Sequence, residues 1–366
     1  MQLYSRNKKE YARSLLDRLH QEADRPLTVM EVCGTHTVAI ARSGLRELLP
    51  KNIRLISGPG CPVCVTDDAD LDYAIALARE RGVILATFGD MMRVPGTTGS
   101  LQEEKSRGAD VRVVYSPTDA LALAAENPSR RVVFLAIGFE TTAPAVSVAL
   151  EQAVQQGLRN FFIFSLHKLV PPVMETLLED PKVKIDAFIN PGHVCTILGS
   201  EPFRFVAEKY GKPCVITGFE AVDILEALLL IVRQYRENRP AVEIQYRRAV
   251  RAEGNPVARA YIEKYFAPAL ARWRGIGEVP GSGLALREEF ADLDATRRFS
   301  LTVTPGKRTR NCACGDVLKG LKLPYECSLF GRACTPVKPV GPCMVSAEGS
   351  CAAYYRFRAR KAGGAR

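Results

Sequence analysis

Residues 132–156 read VVFLAIGFETTAPAVSVALEQAVQQ: six apolar residues, a glycine turn carrying an acid and two threonines, then an amphipathic stretch of helix length. The run at 132–137 has the length of a strand, and Gly138 ends it before a helix over 143–156. The same order recurs on both sides. Strands are expected at 27–32, 53–57, 83–88, 111–115, 161–165, 185–190 and 214–217, and helices at 37–49, 67–81, from 118, and at 170–179, 202–210 and 221–236. Repeated strand, loop and helix predicts parallel sheets with covering helices. The expected fold class is therefore α/β, with two Rossmann-like parallel-sheet domains, 26–117 and 118–237, meeting near 116–130. After about 240 the rhythm stops. Helices rich in Arg and Glu, a glycine-rich turn region at 275–283 and a cysteine-rich end then form, with residues 1–25, an irregular and mostly helical third domain.

The chain has 366 residues, 47% of them hydrophobic, enough for a packed core. Its longest apolar segment, 224–232, falls well short of the ~18–20 residues a membrane span needs. Residues 1–25 are charged and helical in pattern with no apolar signal core, so a cytoplasmic, reducing setting is expected. A formal net charge of +10 would suit nucleic acid. The basic residues are scattered, however, apart from the tail Arg356, Arg358, Arg360, Lys361 and Arg366, and no finger or aromatic-basic pattern accompanies them. No Gly-x4-Gly-Lys-Ser/Thr phosphate loop is present. Neither nucleic acid nor membrane is an expected partner; the tail suits an acidic protein surface or plain solvation.

Every unusual motif falls where an expected strand gives way to a turn, the end at which α/β sheets bind ligands. A weak echo, Phe88-Gly89-Asp90, Ile137-Gly138-Phe139-Glu140 and Thr217-Gly218-Phe219-Glu220, repeats there. Cys33-Gly34-Thr35-His36 places a thiol at a helix N-terminus, whose dipole favours thiolate, with a histidine able to bond it or share a metal; a buried cysteine beside a capping threonine is the plainer reading. In Gly58-Pro59-Gly60-Cys61-Pro62-Val63-Cys64 the Cys-x-x-Cys can form a reversible disulfide, supply half a zinc site, or simply pack. Gly138-Phe139-Glu140-Thr141-Thr142 offers an acid and two hydroxyls at a helix start, and Pro191-Gly192-His193-Val194 a histidine on a tight turn. Either loop can equally be structural. His167 is a further strand-end candidate, whereas His20 reads as surface and Cys195 and Cys214 as small core residues.

Six of the 11 cysteines lie between 312 and 351. Zinc sites normally use close pairs, and Cys312-Ala313-Cys314 has no matching partner. An iron–sulfur cube takes four thiolates at varied spacing. Cluster, zinc, or a mixture of free and paired thiols all remain open on spacing alone, as does the choice of four ligands from six.

Together these motifs, with the end spaced Cys312-x14-Cys327-x6-Cys334-x16-Cys351, resemble the HypD family of [NiFe]-hydrogenase maturation proteins over essentially the whole chain. The resemblance implies a scaffold on which the Fe(CN)2CO unit is assembled with the chaperone HypC, with cyanide delivered from HypE and HypF and the hydrogenase large subunit an indirect partner. It implies a [4Fe–4S] cluster on Cys312, Cys327, Cys334 and Cys351, leaving Cys314 and Cys343 as extras. It implies transient iron on Cys33 beside His36, and a redox dithiol at Cys61 and Cys64. Glu140, Thr141, Thr142 and His193 are then expected to line the iron cleft. Glu348 lies in a family motif, but no role follows from its sequence. A cluster-dependent thiol–disulfide reductase is the alternative function.

Overall fold

A computed structural model describes residues 2–304, 306 and 312–362, with side chains described between 8 and 357. Of the basic tail, Arg356 is exposed; Arg366 and the side chains of Arg358, Arg360 and Lys361 lie outside the described residues.

Nine strands form two parallel sheets. They are β1 (Leu27–Glu31), β2 (Ile53–Ser57), β3 (Val83–Thr87), β4 (Val111–Val113), β5 (Arg131–Ala136), β6 (Phe161–Ser165), β7 (Ala187–Pro191), β8 (Cys214–Thr217) and β9 (Val242–Ile244). The first sheet has the order β2-β1-β7-β8-β9 and the second β4-β3-β5-β6. Every residue of β3 and β7 is buried, as parallel strands covered on both faces require. Several helices begin on side-chain caps: Ser100 and Ser116 form capping boxes, and Asp67 accepts from the Ala69 amide.

Sheet membership differs from the expected halves. The chain lays down β1 and β2, crosses to the second sheet for β3 to β6, and returns to pair β7 with β1, Val29 opposite Ala187. The division at 26–117 and 118–237 therefore cuts through both sheets. The periodicity that reveals a buried parallel strand is the same in either sheet, so it locates strands without assigning them. The N-terminal helix Gln2–Glu22 also sits elsewhere than expected. Leu15 and Leu19 are buried with Leu225 and Leu228 of the helix Ala221–Arg236 on the first sheet, and Tyr11 donates to Glu226 at 2.7 Å.

The glycine-rich stretch is not a turn region. Residues β10 (Phe266–Trp273) and β11 (Gly277–Leu286) form an antiparallel hairpin with a bulge between Ala269 and Ala271. Its anchor is Trp273, fully buried, whose indole N–H donates to Ser282 at 2.7 Å; a buried indole N–H finds such a partner. The tip carries Gly275 in the left-handed region, and a Cβ there would lie 2.2 Å from the backbone of Gly315. That contact clamps the hairpin to the cysteine-rich end. Among the described residues no helix is long and apolar enough to cross a membrane.

Candidate functional site

The strand ends of both sheets converge on a cleft of about 630 Å³, walled by Cys33, Thr35, Thr141, Thr142, His193 and Glu348 among others. Its residues come from the turns after β1, β2, β3, β4, β5 and β7 and from the cysteine-rich end. Val113 and the almost fully exposed Tyr115 stand at its rim.

Cys33 is held by its backbone. It is the extended residue preceding the helix Gly34–Ser43, and its N–H donates to Glu31 Oε2 at 3.1 Å. The Gly34 N–H donates to the Gly60 carbonyl at 2.8 Å, tying this loop to the one that carries Cys61. A Cβ on Gly60 would lie 2.1 Å from the Cys33 nitrogen, so only glycine permits the approach. The helix N-terminus favours thiolate, but burial wins. The Cys33 thiol is pushed up to about 12 by desolvation, against backbone N–H groups of His36 and Thr35 that lower it, with Glu31 and Glu348 raising it further. Without a metal, Cys33 is therefore a neutral thiol.

The five other expected residues are distributed unequally: Thr141, Thr142 and His193 line the cleft, and His36 and Glu140 do not. The His36 ring turns away from the thiol: its Nε2 donates to the Gly218 carbonyl at 2.9 Å, and burial holds it neutral, its pKa lowered to about 4. It stacks on Phe219, ring centroids 4.6 Å apart, and Phe219 stacks on His193 at 3.9 Å. One phenyl ring thus separates a buried imidazole from one at the cleft. Glu140 also points inward, accepting the Val170 N–H at 2.8 Å with its second oxygen unpartnered; desolvation raises it to about 7. Thr142 lines the cleft while its hydroxyl donates to the Phe139 carbonyl at 3.0 Å, and Gly138 leaves room for it.

Behind Gly60, Cys61 and Cys64 are joined as a disulfide. Cys61 Sγ accepts the Cys64 N–H at 3.2 Å, and both residues are buried, at 4% and 0% exposure. Cys64 Sγ lies 4.0 Å from the Pro342 carbonyl, at the edge of the cysteine-rich end. There Cys312, Cys314, Cys327, Cys334, Cys343 and Cys351 all wall a single hollow. The Val340 N–H donates to Cys334 Sγ at 3.3 Å, and a Cβ on Gly341 would lie 2.7 Å from Cys312 Sγ. Among the described residues no three metal-ligating side chains close on one point as a single ion requires. A cube gives each thiolate a different iron and so needs ligands spread around a cage; six cysteines lining one hollow offer more than the four such a group would take.

Two features escaped the sequence. Cys314 and Cys343 have sulfurs 3.0 Å apart, both buried, on the wall of the hollow, and Cys343 adjoins Pro342, whose carbonyl lies 4.0 Å from Cys64 Sγ. Glu348 crosses from the cysteine-rich end to the Cys33 loop, where Thr35 Oγ1 donates to it at 2.8 Å. A Cβ on Gly34 would lie 2.6 Å from Glu348 Cβ, so Gly34 is the seat of this contact. Long-range pairings of this kind leave no local spacing to read.

Two parallel sheets sharing a thiol cleft, backed by a disulfide and a nest of six cysteines, define an α/β protein built around sulfur chemistry. The chain belongs to the HypD family: a family model described as "Hydrogenase formation hypA family" matches residues 10–358. It is 48% identical over 359 residues to hydrogenase maturation factor HypD2 of Bradyrhizobium diazoefficiens, covering 95% of this chain and 94% of that one. It is 50% identical over 336 residues to HypD of Rhizobium leguminosarum bv. viciae (90% and 87% covered) and 44% identical over 350 residues to HypD of Escherichia coli (95% and 94%). Its general role is that of a hydrogenase maturation scaffold.

Proposed function

We propose that this chain holds the iron of the Fe(CN)2CO unit on Cys33 while the unit is assembled, in complex with a HypC-type chaperone that shares the iron, and with cyanide arriving from HypE and HypF. One observation carries this reading: three sulfur groups of different chemistry are packed in sequence, from the nest through Cys61–Cys64 to a single neutral thiol in an open cleft. Soft thiolate coordination suits low-spin ferrous iron with strong-field ligands. Binding iron costs Cys33 its proton, and metal and proton compete for the sulfur; the high thiol pKa makes the cleft release its cargo readily once the pH or a competing ligand favours protonation.

Cys312, Cys327, Cys334 and Cys351 would hold a [4Fe–4S] cluster, which supplies single electrons at low potential when bound. Cys314 and Cys343, the other two cysteines of the nest, would pass electrons toward Cys61–Cys64, since Cys343 adjoins the Pro342 carbonyl that Cys64 Sγ approaches at 4.0 Å. Opening the disulfide takes two electrons and two protons and yields two thiols next to the Gly60–Gly34 contact. Thr141, Thr142 and His193 present hydroxyl and imidazole groups to the bound ligands. Glu140 and His36 act from behind, fixing the start of the helix Val170–Glu179 and the Gly218 loop. The exposed Val113 and Tyr115 offer an apolar rim to the chaperone.

A free-standing reductase of external disulfides is the weaker reading, because Cys61 and Cys64 are buried. The test is the Cys33→Ala variant, purified anaerobically with its HypC partner. It is expected to retain iron and acid-labile sulfide in the nest but to lose the infrared bands of iron-bound CO and cyanide. Full-strength bands in the variant would remove Cys33 from the anchoring role.

A further inference from the structure

At the tip of the hairpin, Arg274 is buried to 6% exposure between the dithiol and the cysteine nest. Its backbone N–H donates to the Val65 carbonyl at 2.9 Å, and its Nε to the Thr66 carbonyl at 2.9 Å. These carbonyls end the short helix Pro62–Val65, which carries Cys64. Nη1 pairs with Asp68. Nη2 is buried and has no acceptor among the described residues. On its other side Arg274 shares the wall of a cleft of about 370 Å³ with Cys312 and Cys314.

A helix end needs only the Nε bond, and a buried guanidinium with an idle donor is a costly way to obtain it. The cost has a use if sulfur near that donor becomes negatively charged. Cations and N–H donors close to cluster sulfurs stabilise the more negative, reduced form and so raise the reduction potential. We infer that Arg274 is a positioning residue whose charge and free Nη2 set the redox poise of the cysteine nest on the side facing Cys61–Cys64. The inference rests on the reading of the nest as a [4Fe–4S] site. The step it governs is uptake of one electron from a low-potential one-electron donor. No bond breaks, and the one added negative charge is offset by the guanidinium. Asp68, by pairing with Arg274, holds that effect in check.

The two partners therefore predict shifts of opposite sign, which a purely structural role does not. Unaltered protein, Arg274→Gln and Asp68→Asn are purified anaerobically and assayed for iron and sulfide. Each is then titrated with dithionite and redox mediators, following the reduced cluster by electron paramagnetic resonance. Arg274→Gln is expected to weaken reduction about tenfold, a downward shift of about 59 mV for a one-electron couple, and Asp68→Asn to shift the potential upward. Should Arg274→Gln not fold, Arg274→Lys, which keeps the charge, is expected to stay within a few-fold of the unaltered protein while Asp68→Asn still moves upward. Full iron and sulfide with unmoved potentials, or with both variants moving the same way, overturns the role of Arg274 alone. Absence of iron and sulfide from the unaltered protein overturns the cluster reading and this inference with it.

Discussion

Cys33 stands at the end of a strand paired on both sides, β1 between β2 and β7, and its loop is fixed by backbone contacts that leave no room for a side chain. The six cysteines of the nest are carried by short helices of five, three and four residues, the loops beside them and the first turn of the helix Ser350–Ala362; Cys334, Met344 and Ala352 form a small buried cluster of their own, while Cys314, Leu318, Cys343 and Val345 join the main core. The first region is organised before any iron arrives. The second has only a small apolar cluster of its own beside the residues it lends to the main core, and on the cluster reading proposed above a bound metal would supply part of its folding energy. On the proposed reading, a transient cargo site rests on a rigid sheet, while a resident cluster would double as part of the core of the cysteine-rich end.

The largest expected effect follows from that contrast. Stripping iron from the anaerobic holoprotein is expected to expose residues 312–351 to hydrogen exchange while β1, β5 and β7 stay protected. A structural ion can contribute on the order of 10 kcal/mol to such a segment. Unchanged protection in 312–351 would abolish the distinction. Next is Gly60→Ala, whose Cβ meets the Cys33 backbone. It is expected to cost about 4 kcal/mol in urea denaturation followed on the sheets, whereas Ala at the unobstructed Gly157, although that residue is in the left-handed region, should cost much less.

Glu140 gives a smaller, pH-dependent effect. Its folded pKa is raised from an ordinary 4.5 to about 7, so the native state binds the proton more tightly than the unfolded one. Its contribution is therefore most favourable below pH 4.5 and declines as pH rises to about 7, by up to roughly 3 kcal/mol. Glu140→Gln, which keeps an oxygen for the Val170 N–H, is expected to flatten the profile in that window. A profile as steep in the variant as in the parent would place the titration elsewhere. Smallest is Thr35→Val, which removes the bond to Glu348 between the two regions and should cost about 1 kcal/mol, measured as a drop in urea midpoint with iron content unchanged.

Much of this was legible in the chain. Strands expected at 132–137 and 161–165 are found at Arg131–Ala136 and Phe161–Ser165, because buried parallel strands are continuous apolar runs. Their partners were not legible: the run at 83–88 does not reveal that it leaves the sheet of 53–57. The hairpin was hidden because Gly277, Gly281 and Gly283 read as turn, while its stability comes from Trp273 reaching Ser282. At the site, spacing located every sulfur, but it could not choose between a dipole-favoured thiolate and a buried thiol at Cys33. The helix dipole is a local quantity, and the desolvation that outweighs it exists only after the second sheet and Glu348 close over the loop. Cys314 and Cys343 stood apart as extras because their contact spans 29 residues of sequence.

The central claim is that the nest, Cys61–Cys64 and the cleft form one electron path. The most direct test is to reduce the anaerobic holoprotein with dithionite and count opened Cys61 and Cys64 thiols by alkylation and mass spectrometry, in the unaltered chain and in Cys314→Ala. The buried disulfide is predicted to open in the former and to stay closed, with the cluster still reducible, in the latter. Opening at the same rate in both would contradict the path.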